Sequence, residues 1–200
     1  MAMPTTLRES VYSVLLVSAS EPFERSLRAL LPEGMFSPVV TVGSEGAARR
    51  MLSERRFDLL LINAPLPDAF GTHLARTGAE SGAGVLLFVK AEQYDGVSLE
   101  MMRQGVLTLA KPASRHAVTQ ALRLLCASGE RLRRLEMRTE TLERKMEEIR
   151  LVSRAKWHLI ARYAMTEEQA HRYIEKQAMD RCLTKREIAS EILAGILGES

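Results

Sequence analysis

A chain of 200 residues, 46% of them hydrophobic, is long enough for one or two folded domains with sizeable cores. The formal net charge is only +3, so charge over the whole chain does not by itself require a nucleic-acid partner. The two cysteines, Cys126 and Cys182, exclude a disulfide framework and fit a reducing compartment. We expect a cytoplasmic protein with no membrane partner, because no run of about 18 apolar residues could span a bilayer.

Apolar runs typical of buried strands alternate with helical patterns through the first 127 residues. The runs cover residues 11–18, 39–42, 58–63, 85–89 and 106–110. Strand and helix alternate five times with short loops between them, which predicts an α/β fold with a doubly wound, parallel, five-stranded sheet. Functional sites in such sheets lie beyond the carboxyl ends of the strands.

The loops at those ends resemble the framework of a response-regulator receiver domain, which has a flavodoxin-like fold. The matching segments are 16–22, 63–67 with Gly71, and 110–112. The resemblance implies a receiver-like domain over residues 1–127. It also implies a cis bond between Lys111 and Pro112, although X–Pro bonds are usually trans.

The residues that carry receiver chemistry are replaced. Ala19 and Ser20 stand where the family has its Mg²⁺-binding acidic pair, and Asn63 stands where it has the phosphoryl-accepting aspartate. Lys90 replaces a Thr or Ser, and only Lys111 is as the family expects. An amide is not a nucleophile toward phosphorus, and Mg²⁺ needs oxygen ligands, usually carboxylates. We therefore predict a pseudo-receiver with no metal and no cofactor, controlled by a partner protein or a ligand.

Two interpretations of this degenerate pocket remain open. Lys90 could donate a constitutive hydrogen bond to Asn63 that imitates a switched state. In the alternative, Asn63 and Ser20 are ordinary polar loop residues in a decayed site.

A heptad pattern follows and predicts a coiled-coil linker at residues 128–145, with a hinge at Ser128–Gly129 as one possibility. Charged residues fill the flanks of the pattern, as they do in coiled coils. We predict that this helix pairs two copies of the chain, and the alternative is a single solvated helix. The apolar seam positions are Val118, Ala121, Leu125, Leu132, Leu135, Leu142, Met146 and Ile149.

Three helical patterns occupy residues 146–200. In the first, Ala155 and Leu159 turn inward; Thr166 and Thr184 are the predicted N-caps of the second and third. Ile196 is predicted to face inward in the third, which should stop near Gly198. Residues 150–190 hold nine Lys and Arg against five Asp and Glu, an excess that fits a polyanionic partner.

Five motifs in this region resemble the ANTAR domain of transcription antiterminators over about residues 143–197. They are Arg154-Ala155-Lys156, Leu159-Ile160, 165–170, 178–181 and 185–189. A receiver-like domain, a coiled coil and a three-helix ANTAR bundle together resemble the amidase-type antitermination regulators. The resemblance implies an RNA-binding protein that stabilises hairpins in nascent mRNA leaders, so that a terminator cannot form.

The resemblance and the basic character of the region give a set of candidate RNA-binding residues. Small Ala155 would let a base approach the helix, and Trp157 replaces the Gly that the family usually has after Ala-Lys. Trp157 either stacks on a base or packs in the protein, and the cations could instead form a solvated basic face. The candidates are Arg154, Ala155, Lys156, Trp157, Arg181, Lys185 and Arg186.

Other classes of function fit less well. The C-terminal helices lack the Gly-containing turn and long recognition helix of a DNA-binding response regulator. A dimeric protein-interaction adaptor remains a further alternative. The sequence has no catalytic constellation, so we expect no enzymatic activity.

Overall fold

The computed structural model describes residues 11–195. The chain divides into two compact units, Met1–Arg133 and Arg134–Ser200. Strands and helices alternate in the first unit as β1 (Tyr12–Val17), α1 (Glu21–Arg28), β2 (Phe36–Val42), α2 (Glu45–Glu54), β3 (Leu59–Asn63), α3 (Thr72–Glu80), β4 (Gly84–Lys90), α4 (Ala91–Arg103) and β5 (Val106–Lys111). Helix α5 (Arg115–Tyr163) belongs to both units, and α6 (Glu167–Asp180) and α7 (Lys185–Leu193) complete the second.

The five strands form one parallel sheet in the order β2-β1-β3-β4-β5. This confirms the predicted doubly wound architecture. Helix α4 begins at Ala91 rather than near Gly96. Glu92 lies in its first turn, where a carboxylate is stabilised by the free backbone N–H groups of the helix end.

The apolar strands are buried on both faces, because helices cover both sides of the sheet. Alternate residues of β3 point to opposite cores: Leu60 packs with residues of α2, α3 and α4, and Leu61 packs with residues of α1 and α5. Gly78 allows α3 to approach the sheet closely, since a Cβ atom there would lie 2.5 Å from the Leu60 side chain.

Helix α5 continues past Ser128 and Gly129 without a break, so the hinge considered from the sequence is not formed. Two residues of the predicted linker contact the first unit. The Tyr12 hydroxyl donates a hydrogen bond to Glu130 at 3.1 Å, and Arg133 forms an ion pair with Asp58. Asp58 also accepts a 2.8 Å hydrogen bond from the backbone N–H of Ser13. Residues 128–133 therefore pack on the receiver-like unit.

The second unit has the three predicted helical segments around a small core. Both predicted caps are present: the Thr166 hydroxyl accepts from the Gln169 N–H, and the Thr184 hydroxyl accepts from the Glu187 N–H. The predictions for Ile196 and Gly198 lie outside the described residues. The core consists of Ala155, Leu159, Ala170, Ile174, Ile188, Ala189 and Ile192.

No helix between residues 11 and 195 is both long enough and apolar enough to cross a bilayer. Within the same range, no three His, Cys, Asp or Glu side chains lie close enough together to hold a metal ion.

Candidate functional site

Hydrogen bonds join the side chains of the degenerate receiver pocket, and no carboxylate takes part in them. Lys111, at the end of β5, donates from Nζ to Asn63 Oδ1 at 2.6 Å and to the Ala64 carbonyl at 2.5 Å. Asn63 is buried at the end of β3 and donates from Nδ2 to Ser18 Oγ at 3.1 Å. Both ends of the Asn63 amide are therefore satisfied within the protein.

These hydrogen bonds argue against the first of the two interpretations of the pocket. Lys111 occupies the Asn63 oxygen, whereas the Lys90 side chain is exposed and forms no hydrogen bond with Asn63. The hydrogen bond from Lys90 to Asn63 that the sequence suggested is not formed. Ala19 is exposed, and the Ser20 N–H donates to Ser18 Oγ at 3.0 Å. Ser18, which follows β1, is a member of the network that the sequence analysis did not identify.

The electrostatics of the pocket follow from burial and from a neighbouring cation. Burial lowers the pKa of Lys111, and the charge of Lys90 lowers it further. Lys90 and Lys111 are register partners at the ends of β4 and β5. The bond between Lys111 and Pro112 is cis, as the receiver resemblance implied.

The clearest exposed feature of the second unit is a line of side chains on α5. Arg150, Arg154, Trp157 and Ala161 are all exposed, and their spacing of three and four residues places them on one face of the helix. We call these four residues the outer stripe. Trp157 is 70% exposed, so of the two roles left open for it, packing inside the unit is not seen in the single chain.

Ala155 was assigned to the RNA-facing surface, and that assignment is wrong. The residue is fully buried in the core of the second unit, together with Ala170 and Ala189. Small side chains at those positions allow helices to pack closely. The helical periodicity, which placed Ala155 inward, gave the correct position.

Two of the predicted cations, Lys156 and Lys185, pair with carboxylates of α6. Lys156 Nζ lies 2.8 Å from Glu167 Oε1, and Lys185 Nζ lies 2.6 Å from Glu175 Oε1. The hydrogen bond from Lys156 lowers the pKa of Glu167, and the one from Lys185 lowers the pKa of Glu175. The positive charge of these lysines is therefore partly neutralised within the unit.

Two further cations of the predicted set, Arg181 and Arg186, are paired as well. The guanidinium of Arg186 lies 3.1 Å from the carboxylate of Glu147, and Arg181 forms a bidentate ion pair with Glu191. By contrast, Arg150 and Arg154 form no ion pair with any residue between 11 and 195. The predicted set thus contains two kinds of residue. Four cations form ion pairs within the unit, namely Lys156, Arg181, Lys185 and Arg186, whereas Arg154 forms none among the described residues and Trp157 is exposed. The structure also adds Arg150, which the sequence analysis did not single out.

Comparison with known proteins gives a match for each unit. The family model of the ANTAR domain matches residues 140–193. The chain is 26% identical over 196 residues to the transcriptional regulatory protein PdtaR of Mycobacterium tuberculosis, in strains CDC 1551 / Oshkosh and ATCC 25618 / H37Rv. The match covers 96% of this chain and 96% of that protein.

Solved structures match the first unit. A response regulator receiver domain protein from Clostridium thermocellum superposes with a TM-score of 0.54 at 16% identity, over 61% of this chain and 99% of that one. The signal receiver domain of an HD domain-containing protein from Pseudomonas fluorescens Pf-5 gives 0.54 at 20% identity, over 67% and 98%. At these identities the likeness establishes the fold. The first unit therefore has the receiver fold, and residues 140–193 of the second unit match the ANTAR domain.

The burial of Ala155 predicts that a larger side chain there destabilises the second unit. Ala155→Leu should lower its stability by about 1–3 kcal/mol, because a filled core cannot accept three more carbons without strain. Hydrogen exchange of the Ile174 and Ile188 amides would measure the loss. Ala161→Leu, on the exposed face of the same helix, is the matched control and should change stability by less than about 0.5 kcal/mol. Equal exchange rates in both variants would contradict the burial of Ala155.

Proposed function

We propose that the protein regulates transcription from the cytoplasm by binding hairpin loops in nascent mRNA leaders. The outer stripe of α5 is the proposed contact surface, and binding holds an RNA fold that excludes the competing terminator. The observation that carries this proposal is an exposed tryptophan, Trp157, within the segment that matches the ANTAR domain. It lies on the same helix face as Arg150 and Arg154, which have no acidic partner among residues 11–195. No enzymatic step is involved.

The chemistry of the outer stripe suits single-stranded loops. Proteins recognise RNA sequence mainly in loops, where unstacked bases can stack on an aromatic ring. A base stacked on an aromatic side chain contributes roughly 1–3 kcal/mol. Arg150 and Arg154 lie on the same face as Trp157, in the two turns before it, so they can neutralise phosphates next to a stacked base.

The ion-paired cations take a secondary role in this proposal. Exposed ion pairs contribute only about 0–1 kcal/mol, so Lys156 and Lys185 can exchange a carboxylate for a phosphate at low cost. Until they do, Glu167 and Glu175 reduce the positive potential around them. Arg154 carries no such compensation, and we expect it to contribute more to binding than either lysine.

Dimerisation through α5 is the second part of the proposal. The seam residues beyond the first unit are exposed: Leu142 is 61% exposed and Ile149 is 66% exposed. Leu135 and Met146, at the other apolar seam positions of the second unit, are exposed too, and so is Leu132 near the end of the first unit. A stripe of this length at heptad spacing is typical of a helix that packs against a second copy.

The receiver-like unit, in this proposal, receives its signal by a route other than phosphorylation. The amide of Asn63 cannot form an acyl phosphate, and its oxygen and nitrogen already bond to Lys111 and Ser18. Ala19 and Ser20 offer no carboxylate to hold Mg²⁺.

We predict that Trp157→Ala lowers the affinity for hairpin RNA by at least about fivefold, because a stacked base loses its platform. Binding of the full-length protein to a pool of hairpin RNAs with randomised loops, measured by filter retention, tests this. Trp157→Phe keeps an aromatic face and should retain most of the affinity. Arg154→Gln should weaken binding and reduce the slope of log affinity against log salt by about 1.

Three controls define what would contradict RNA recognition by the outer stripe. Arg172→Gln removes an exposed cation that is paired with Glu168 on α6, and it should have little effect. Duplex DNA of the stem sequence should bind weakly. Equal binding to that DNA would favour a DNA-binding regulator, and unchanged affinity in Trp157→Ala would remove the outer stripe from the contact surface.

The exposed seam predicts that the 22.4 kDa chain sediments as a dimer. Leu142→Asp should produce monomers, because it places two carboxylates in the seam without partners. Thr141→Asp introduces the same charge one residue away, at a position outside the seam, and should remain dimeric. Sedimentation velocity of the full chain distinguishes the species, and a monomeric wild-type protein would rule out this pairing.

The degenerate pocket predicts that the protein gains no phosphoryl group from acetyl phosphate and Mg²⁺. Intact-mass spectrometry, with a receiver domain that has the complete acidic set as positive control, makes the measurement. An acid-labile adduct on the wild-type protein would show that the unit is phosphorylated after all.

A further inference from the structure

A cleft of about 270 Å³ lies between α1 and the start of α5, within the first unit. Phe23 and Phe88 meet edge to face in its wall, with ring centroids 5.0 Å apart. Ser26 and Pro112 also line it. Most of the remaining wall is apolar and consists of Leu27, Leu30, Ala113 and Val118.

Two cations line the same cleft. Lys111 contributes to its wall, and so does the exposed Arg115. Neither forms an ion pair with a carboxylate among residues 11–195. The oxygens that Lys111 contacts, on Asn63 and Ala64, are both uncharged. The ammonium therefore sits partly desolvated, with Lys90 as a nearby like charge.

The apolar wall and the unpaired cations together define what fits. We propose that this cleft binds a small monocarboxylate with an apolar tail, whose carboxylate pairs with Lys111 and Arg115 while the tail lies along Phe23 and Leu27. A bare anion would leave the apolar wall in contact with water, and an uncharged apolar molecule would leave both cations unpaired. Both parts of the ligand are therefore needed.

The size of the cleft limits the ligand. Pockets for drug-sized molecules have volumes of about 300–1,000 Å³, and this one falls just below that range. A ligand of roughly ten non-hydrogen atoms, such as 3-phenylpropionate, is a suitable probe, with an affinity of about 0.1–5 mM at ordinary ligand efficiency.

The position of Lys111 gives such a ligand a route to the degenerate pocket. Lys111 lines the cleft, and its ammonium donates to Asn63, so a carboxylate that pairs with this ammonium competes with Asn63 for its hydrogen bonds. Ligand binding can thereby change the pocket without phosphorylation. This inference concerns the first unit only and does not rest on RNA binding.

Amide chemical shifts of the ¹⁵N-labelled full-length protein, titrated with 3-phenylpropionate and without RNA, test the proposal. We expect saturable shifts at Ser26, Ala113 and Val118. Lys111→Met and Arg115→Gln should each weaken binding by about tenfold or more. Arg123→Gln is the matched control, because it removes an exposed cation from the same helix as Arg115 that does not line the cleft, and it should change the affinity by less than about threefold.

Comparison ligands separate the two parts of the site. The uncharged 3-phenylpropanamide and inorganic phosphate should each bind at least about tenfold more weakly than 3-phenylpropionate. Equal binding of either, unchanged affinity in both Lys111→Met and Arg115→Gln, or shifts confined to the exposed seam of α5 would overturn the proposal. So would the absence of saturable shifts at about 20 mM ligand. Arg115 is exposed, so its variant tests the site even if Lys111→Met fails to fold.

Discussion

Both units depend on the burial of apolar side chains from one helix, α5. Leu122 is buried against the sheet of the first unit, and Leu159 is buried in the core of the second. Each such leucine contributes about 1.5–3 kcal/mol when it is fully buried. Leu142, between them, remains exposed and contributes little to a single chain. The helix therefore stabilises two separate cores through its ends, while the apolar residues of its middle stay exposed in the single chain.

Charge is distributed differently in the two units, and the difference bears on what each can bind. In the receiver-like unit, Lys111 is held by neutral oxygens and lacks an acidic partner among the described residues. In the second unit, Lys156 and Lys185 are neutralised by Glu167 and Glu175. An unpaired, partly buried cation gains more from a small anion than an ion-paired surface cation does. For this reason we propose a small-molecule site in the first unit. In the second unit we propose that Trp157 and its neighbouring arginines, rather than the paired lysines, make the main contact with RNA.

Local signals in the sequence predicted the fold, because strand burial, helix caps and heptads depend on near neighbours. The site was only partly predictable. A sequence motif placed Ala155 at the RNA surface while the helical period placed it inside, and the structure agrees with the period. The ion pair between Arg186 and Glu147 joins residues 39 positions apart, so no local pattern reveals it. The same holds for Ser18 and Asn63, which only the sheet brings together.

The proposed dimer and the proposed RNA contact reinforce each other. Each chain offers a small surface, with one tryptophan and two arginines that have no acidic partner among the described residues, so a single hairpin should bind only moderately. Two copies paired along α5 present two such surfaces. An RNA with two hairpins then binds the second surface at an effective concentration of up to the millimolar range, set by the linker between the hairpins. Seam residues such as Leu142 would in that case determine RNA affinity without touching RNA, which is a physical reason for a helix to leave them exposed in the single chain.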